Sequence, residues 1–180
     1  MLTIISGTMF GGKTSTLLAM YRLAMHREEP ERALLVNHRI DTRYNNDDSV
    51  VTHDGDRESA LKATRLEEMF DRMEYRVSKV IFVDEAQFFD DLEETVHRMI
   101  ETDGKHVVLA GLMLDCQRRP FGKLARLVPH ANAFIVKRAS CHHCGAQAIY
   151  NALRSTERTP EVGGAELYVP VCRSHHPNSI

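Results

Sequence analysis

No apolar run in this 180-residue chain approaches membrane-spanning length, and neither sign of charge dominates. The first absence argues against a membrane protein. The second leaves a formal net charge of −2 and no basic stripe, so the electrostatic footprint of a nucleic-acid binder is missing. A basic leader is missing too. Met1-Leu2-Thr3 runs straight into an apolar β-branched stretch, so no secretory signal is expected and the cytoplasm is the default compartment. Cysteine is scarce, and four cysteines in such a chain point to metal or chemistry rather than to a disulfide framework. No internal repeat is visible. What remains is ordinary globular composition, 43% hydrophobic and 27% charged, enough for one domain with a small appendage.

The most informative stretch lies at the start. Leu2–Ser6 reads as a strand. Gly7-Thr8-Met9-Phe10-Gly11-Gly12-Lys13-Thr14 follows, and then an amphipathic run to Met25 with Leu17, Leu18, Tyr21 and Met25 at helical spacing. This is G-x-x-x-x-G-K-[ST] between a strand and a helix, the context the phosphate-binding loop requires. Glycines let successive backbone N–H groups turn inward as an anion nest, and the helix N-terminus adds partial positive charge. Lys13 can reach the β- and γ-phosphates of ATP, and the Thr14 hydroxyl can ligate Mg²⁺. Gly7, Thr8, Gly11, Gly12, Lys13 and Thr14 are therefore the candidate donor site.

Ala33–Val36, Val80–Val83, His106–Ala110 and Ala133–Val136 are short continuous apolar runs, as expected of strands buried on both faces. Helical patterns alternate with them, over Leu61–Tyr75 and over Asp90–Thr102 with Asp90 or Asp91 as a start signal and Gly104 as a stop. In the first of these, Leu66, Met69, Phe70 and Met73 are the expected core face. The fold class is α/β, a phosphate-loop parallel sheet with flanking helices. Between the second strand and the helical pattern that follows it, His38–Arg57 is long and polar, and a loop of that length is usually functional or disordered. Val80–Val83 ends in Asp84-Glu85, an acid at the carboxyl end of an apolar strand, where ligands of such sheets bind. Asp84 would serve Mg²⁺, and Glu85 could take a proton from an attacking hydroxyl or water. Arg118 and Arg119 are either phosphate contacts or surface charges, and Phe121 is either core or a substrate wall.

Composition changes at Lys137-Arg138. Cys141-x-x-Cys144 and Cys172-x-x-His175 are two chelating pairs with metal-knuckle spacing, fitting a closed Cys₃His structural Zn²⁺ site. His142, His143 and His176 compete for the fourth place, and spacing favours His175. The expected division is a nucleotide-binding domain, 1–138, and a zinc-stabilised domain, 139–180. The metal would pin the base of Ala146–Val171 as a tethered loop able to close over a ligand.

Taken together, these motifs resemble the Walker-type thymidine kinases. The resemblance covers nearly the whole chain. It rests on the phosphate loop with Met9-Phe10 inside it, Asp41-Thr42-Arg43-Tyr44, Thr52-His53-Asp54, Asp84-Glu85-Ala86-Gln87-Phe88-Phe89, Pro120-Phe121-Gly122, both knuckles, and Val162-Gly163-Gly164-Ala165 leading to Tyr168. It implies transfer of the ATP γ-phosphate to the 5′-hydroxyl of thymidine, with Glu85 as general base and Arg43 as a phosphate contact. By the same resemblance Met9, Phe88, Leu112 and Tyr168 surround the nucleoside, and Val162, Gly163 and Gly164 belong to a lasso holding the base. Phe121 and Asn151 complete the candidate acceptor site. Family members are commonly homotetramers, so a homotetramer is expected. Three positions depart from the family pattern: Met113 where Asp is usual, Cys116 where Phe is usual, and Asn151 where Thr usually approaches the thymine methyl. These leave the phosphate chemistry intact and bear on base selectivity, with deoxyuridine a candidate alternative substrate. Rival readings are an ATP-hydrolysing phosphate-loop enzyme, a zinc-stabilised nucleotide-binding module, and a catalytically altered paralogue.

Overall fold

The computed structural model describes residues 1–26, 32–41, 49–51, 55–155 and 163–177. Arg43, His53 and Val162, and with them much of the two loops expected to carry ligand contacts, lie outside the described residues.

Six strands form one parallel sheet: β1 (Leu2–Gly7), β2 (Ala33–His38), β5 (Leu61–Ala63), β6 (Val80–Asp84), β7 (His106–Ala110) and β8 (Ala133–Lys137), in the order β5-β2-β6-β7-β1-β8. Strand alternation sends each run to two different cores. Ile4, Leu34, Val36, Ile81, Val83, Val107 and Leu109 pack on one face with Leu66, Phe89, Leu92, Val96, Leu124 and Leu127. Ile5, Leu35, Phe82 and Val108 pack on the other with Leu17 and Leu18 of helix α1 (Lys13–Met25). Both faces are covered, so the strands read as unbroken apolar runs rather than as alternating ones. Because all six are parallel, their carboxyl ends, including Gly7, His38, Asp84, Ala110 and Lys137, share one edge.

The expected helix over Leu61–Tyr75 does not form as such. Leu61–Ala63 is strand β5, paired to the outer edge of β2 with Val36 opposite Leu61 and His38 opposite Ala63. A 3-10 turn, Leu66–Met69, and the short helix α2 (Met73–Val77) follow. Leu66 and Met69 are fully buried as expected, whereas Met73 is 67% exposed. The backbone of β5 satisfies an otherwise open sheet edge. The turn after it is capped from outside: the Asp91 carboxylate accepts the Leu66 and Glu67 N–H groups at 3.0 and 2.9 Å. Asp91 stands just before α3 (Leu92–His97), where a start signal is expected, but its side chain caps this remote turn and not its own helix. The π-helical segment Arg98–Thr102 continues α3 toward Gly104, so that expected span is filled.

Within the long polar stretch, β3 (Ser49–Val51) and β4 (Arg57–Ser59) form a small antiparallel ladder. Arg22 of α1 ties β4 down, with Nε 2.6 Å from Glu58 Oε1. Beyond the sheet, β9 (Tyr150–Leu153) and β10 (Tyr168–Val171) pair antiparallel over a minor core of Cys141, Ala152, Val169 and Val171. No helix among the described residues is long and apolar enough to cross a membrane.

Candidate functional site

At the carboxyl edge, Gly7 takes φ +139° and leaves β1 beside the end of β8. A Cβ there would lie 1.6 Å from the Lys137 carbonyl oxygen, so no other residue fits. The same carbonyl accepts the Thr8 N–H at 3.1 Å, and the Thr8 hydroxyl accepts the Ala139 N–H at 2.9 Å. Phe10 is held left-handed at φ +60°, a conformation that costs a bulky residue on the order of 1 kcal/mol. The Lys13 ammonium donates back across the loop to the Thr8 carbonyl at 2.7 Å. Helix α1 begins after left-handed Gly12 with no side-chain cap on its first N–H groups, as suits a helix N-terminus that takes an anion. The Thr14 hydroxyl donates to the Asp84 carboxylate, 3.0 Å from Oδ2. The fold thereby joins two groups 70 positions apart into one pair suited to a divalent cation on a polyphosphate.

Glu85 follows Asp84 at φ +52°, only 8% exposed. Its carboxylate is held by Gln87, whose amide NH₂ donates to Oε2 and whose amide oxygen accepts the Leu112 N–H at 2.9 Å. Gly122 (φ +62°) makes room for this clamp, since a Cβ there would fall 2.1 Å from the Gln87 carbonyl. Gln87 is a positioning residue that sequence reasoning missed. It lies in the Asp-Glu-x-Gln motif, but nothing local indicates that its side chain reaches back two residues and across to the end of β7.

A cavity of about 340 Å³ opens in front of Glu85. Its walls include the expected Met9, Phe88, Leu112, Phe121, Asn151, Gly163 and Tyr168, and also Ile40, Leu114, Asp115 and Cys116. Phe88 and Phe121 meet edge to face, 5.4 Å between centroids. Burial, with Asp115 adding to it, pushes the Cys116 thiol up, so it lines the cavity as a neutral group. Gly164 lies next to this wall and forms a tight turn with Glu166 and Tyr168. Arg118 and Arg119 belong to a surface turn. Asp115 accepts the Arg119 and Gln117 N–H groups at 2.8 Å and pairs with the Arg119 guanidinium at 3.0 Å.

His38, at the end of β2, stacks edge-on against Phe89 with centroids 4.6 Å apart. The Ile40 N–H donates to its Nδ1, and its Nε2 faces the Thr64 carbonyl at 3.0 Å. That pairing requires a neutral ring protonated on Nε2, and burial lowers its pKa in agreement.

Cys141, Cys144, Cys172 and His175 converge so that their ligand atoms all lie within 4.8 Å of one another. Cys144 and Cys172 sulfurs are 3.8 Å apart, and His175 Nδ1 is 3.8 and 3.2 Å from the Cys141 and Cys172 sulfurs. Zn–S bonds of about 2.3 Å in a tetrahedron place sulfurs about 3.8 Å apart, so the donor set fits zinc. Burial raises the Cys141 thiol, but backbone N–H groups of Cys172, His143 and Cys144 outweigh it and bring it down to about 6. His176 is not among the four: it is buried, with Nε2 3.0 Å from the Cys116 carbonyl oxygen.

A parallel α/β sheet with a glycine-rich loop, a hydroxyl–carboxylate pair at its carboxyl edge and a Cys₃His cluster beside it defines a phosphate-loop protein with a zinc-type appendage. The family model described as thymidine kinase matches residues 1–176. Thymidine kinase from Oryza sativa subsp. japonica is 37% identical over 177 residues, 96% of this chain and 65% of that protein. The cytosolic thymidine kinase of Homo sapiens is 37% identical over 171 residues, 94% of this chain and 70% of that protein. Thymidine kinase from Pseudothermotoga lettingae is 34% identical over 178 residues, 96% of this chain and 92% of that protein. The chain belongs to the thymidine kinase family. It spans a little under two thirds of the rice relative's length.

Proposed function

We propose that the protein is an ATP-dependent kinase that transfers the γ-phosphate to the 5′-hydroxyl of thymidine, in pyrimidine salvage. The observation carrying this is the buried Glu85 carboxylate, clamped by Gln87, facing a nucleoside-sized cavity whose wall includes Met9 of the phosphate loop itself. Donor and acceptor sites thus share one residue, and the reacting oxygen can sit between the loop and Glu85.

In this reading the loop N–H groups and Lys13 hold the triphosphate of ATP. Thr14 and Asp84 would hold Mg²⁺, which neutralises charge developing between the phosphates. Glu85 takes the 5′-hydroxyl proton as the oxygen attacks. Arg43 contacts the transferred phosphate, and Val162, Gly163 and Gly164 hold the base by their backbone, by family likeness. Phe88, Phe121 and Tyr168 supply flat apolar walls for a pyrimidine. Cys141, Cys144, Cys172 and His175 would hold a structural Zn²⁺. A cytoplasmic homotetramer is the expected form, in keeping with relatives named as cytosolic, and sedimentation at working concentration tests the assembly.

The activity test is Mg-ATP turnover against thymidine, deoxyuridine and a panel of other nucleosides. A 5′-monophosphate of thymidine is expected. ATP hydrolysis without any nucleoside product would overturn the reading in favour of an NTPase. The thiol of Cys116 leaves more room than an aromatic side chain would. Cys116→Phe is therefore expected to sharpen the preference for thymidine over bulkier analogues, and unchanged selectivity would remove Cys116 from the account.

A further inference from the structure

Asn151 sits on β9 in the zinc-bearing hairpin, only 5% exposed. Its side-chain Oδ1 accepts the Met9 N–H at 2.8 Å, a buried hydrogen bond between groups 142 positions apart. Met9 is inside the phosphate loop, so one backbone N–H of the anion cradle is committed to the zinc domain.

The Thr8–Met9 peptide turns this into a statement about the donor site. A trans peptide points its N–H and C=O in opposite directions. With the N–H anchored on Asn151, the Thr8 carbonyl faces the other way, where it accepts the Lys13 ammonium at 2.7 Å. Asn151 therefore fixes the plane on which Lys13 rests. The strand carrying it is paired to β10 with Asn151 opposite Pro170, and β10 runs directly into Cys172 of the metal cluster. The β9–β10 hairpin, the Asn151 side chain and the Thr8–Met9 peptide thus connect the Cys₃His cluster to the phosphate-binding lysine.

We propose that Asn151 is a positioning residue for the phosphate loop, through which the zinc-pinned hairpin preorganises the ATP site as well as the nucleoside site. The proposal deepens the kinase reading, since it names what sets the geometry of the donor side.

The test uses the full-length zinc-loaded protein, no nucleoside, and Mg²⁺ with a non-hydrolysable ATP analogue as probe. Its outcome is thus separate from whether thymidine is the acceptor. Asn151→Leu keeps the side chain's size and removes the acceptor, leaving a buried N–H unpaired. Affinity for the analogue is expected to fall about tenfold, and the Met9 amide to exchange with solvent faster, with zinc content unchanged. Asn151→Asp, which keeps the acceptor, is expected to keep Met9 protected. Unchanged affinity for the analogue in Asn151→Leu would overturn the proposal and leave Asn151 as a wall of the nucleoside cavity alone. Should Asn151→Leu fail to fold, the wild-type protein decides. A Met9 amide exchanging as fast as exposed loop amides would overturn the proposal, and a slow one that becomes fast on zinc chelation would support it.

Discussion

The carboxyl edge of the sheet and the Cys₃His hairpin supply opposite walls of one cavity, but they are held by different physics. Gly7, Asp84 and Glu85 leave strands whose flanking residues are buried in two apolar layers, with Leu17 and Phe82 on one face and Leu92 and Val107 on the other. Their positions follow from hydrophobic burial, which needs no ligand. Among the described residues the hairpin's own core is Cys141, Ala152, Val169 and Val171, small for a segment of this length. It leans instead on the Cys₃His cluster, on Leu167 and Tyr168 packed against Met9, and on buried hydrogen bonds to the main sheet such as that from Met9 to Asn151. One half of the site is therefore robust and the other conditional.

Removing the conditional support is expected to have the largest effect. Chelation of zinc, or Cys172→Ser, should abolish nucleoside phosphorylation while the far-ultraviolet signal of the parallel sheet survives. About one zinc per chain should be released. A metal-free protein of full activity and stability would erase the distinction between the two regions. Next is Glu85→Gln, which spares the fold and both binding sites. Loss of a general base is expected to lower kcat about 10²–10⁴-fold with little change in affinity for an ATP analogue, and steady-state kinetics beside direct binding would separate the two.

Gln87→Leu probes the sheet edge more gently. It removes the donor to Glu85 and the acceptor for the Leu112 N–H. A drop in kcat of about tenfold is expected, with zinc retained. A change confined to zinc content or hairpin exchange would place Gln87 on the wrong side of the comparison. The smallest effect concerns His38. Burial lowers its pKa from the ordinary 6.5, so the unfolded chain binds a proton that the folded one resists. The stability contributed is complete above about pH 6.5 and is lost as pH falls from there toward the depressed folded value. Denaturant titrations should show this acid-side loss in the wild type and a smaller one in His38→Gln. An identical pH dependence would remove burial of His38 from the account.

Legibility in the sequence followed the same division. Lys13–Met25 reads as a helix because apolar residues recur at helical spacing behind a glycine loop, and the structure has that helix. Val80–Val83 and His106–Ala110 read as strands because burial on both faces leaves unbroken apolar runs. Leu61–Ala63 is a strand and not part of the expected helix, because the helical spacing of Leu66, Met69, Phe70 and Met73 is local and the pairing that overrides it lies on β2, far away in the chain. The start signal at Asp90 or Asp91 does stand at the beginning of α3, but the Asp91 carboxylate caps the turn at Leu66 and not its own helix. Met73, read as core, is exposed because α2 is too short to present a continuous face.

What the sequence by itself determined is whatever local spacing encodes: the phosphate loop between strand and helix, the acid pair at a strand end, and two chelating pairs. Each follows from chain geometry over a few residues, where steric and hydrogen-bonding rules leave few choices. Tertiary structure alone decided which distant groups meet. It brought Thr14 to Asp84, turned Gln87 into the clamp on Glu85, and set Asn151 under the Met9 N–H. Those choices rest on buried polar groups finding partners across the fold, and no local pattern in the chain carries that information.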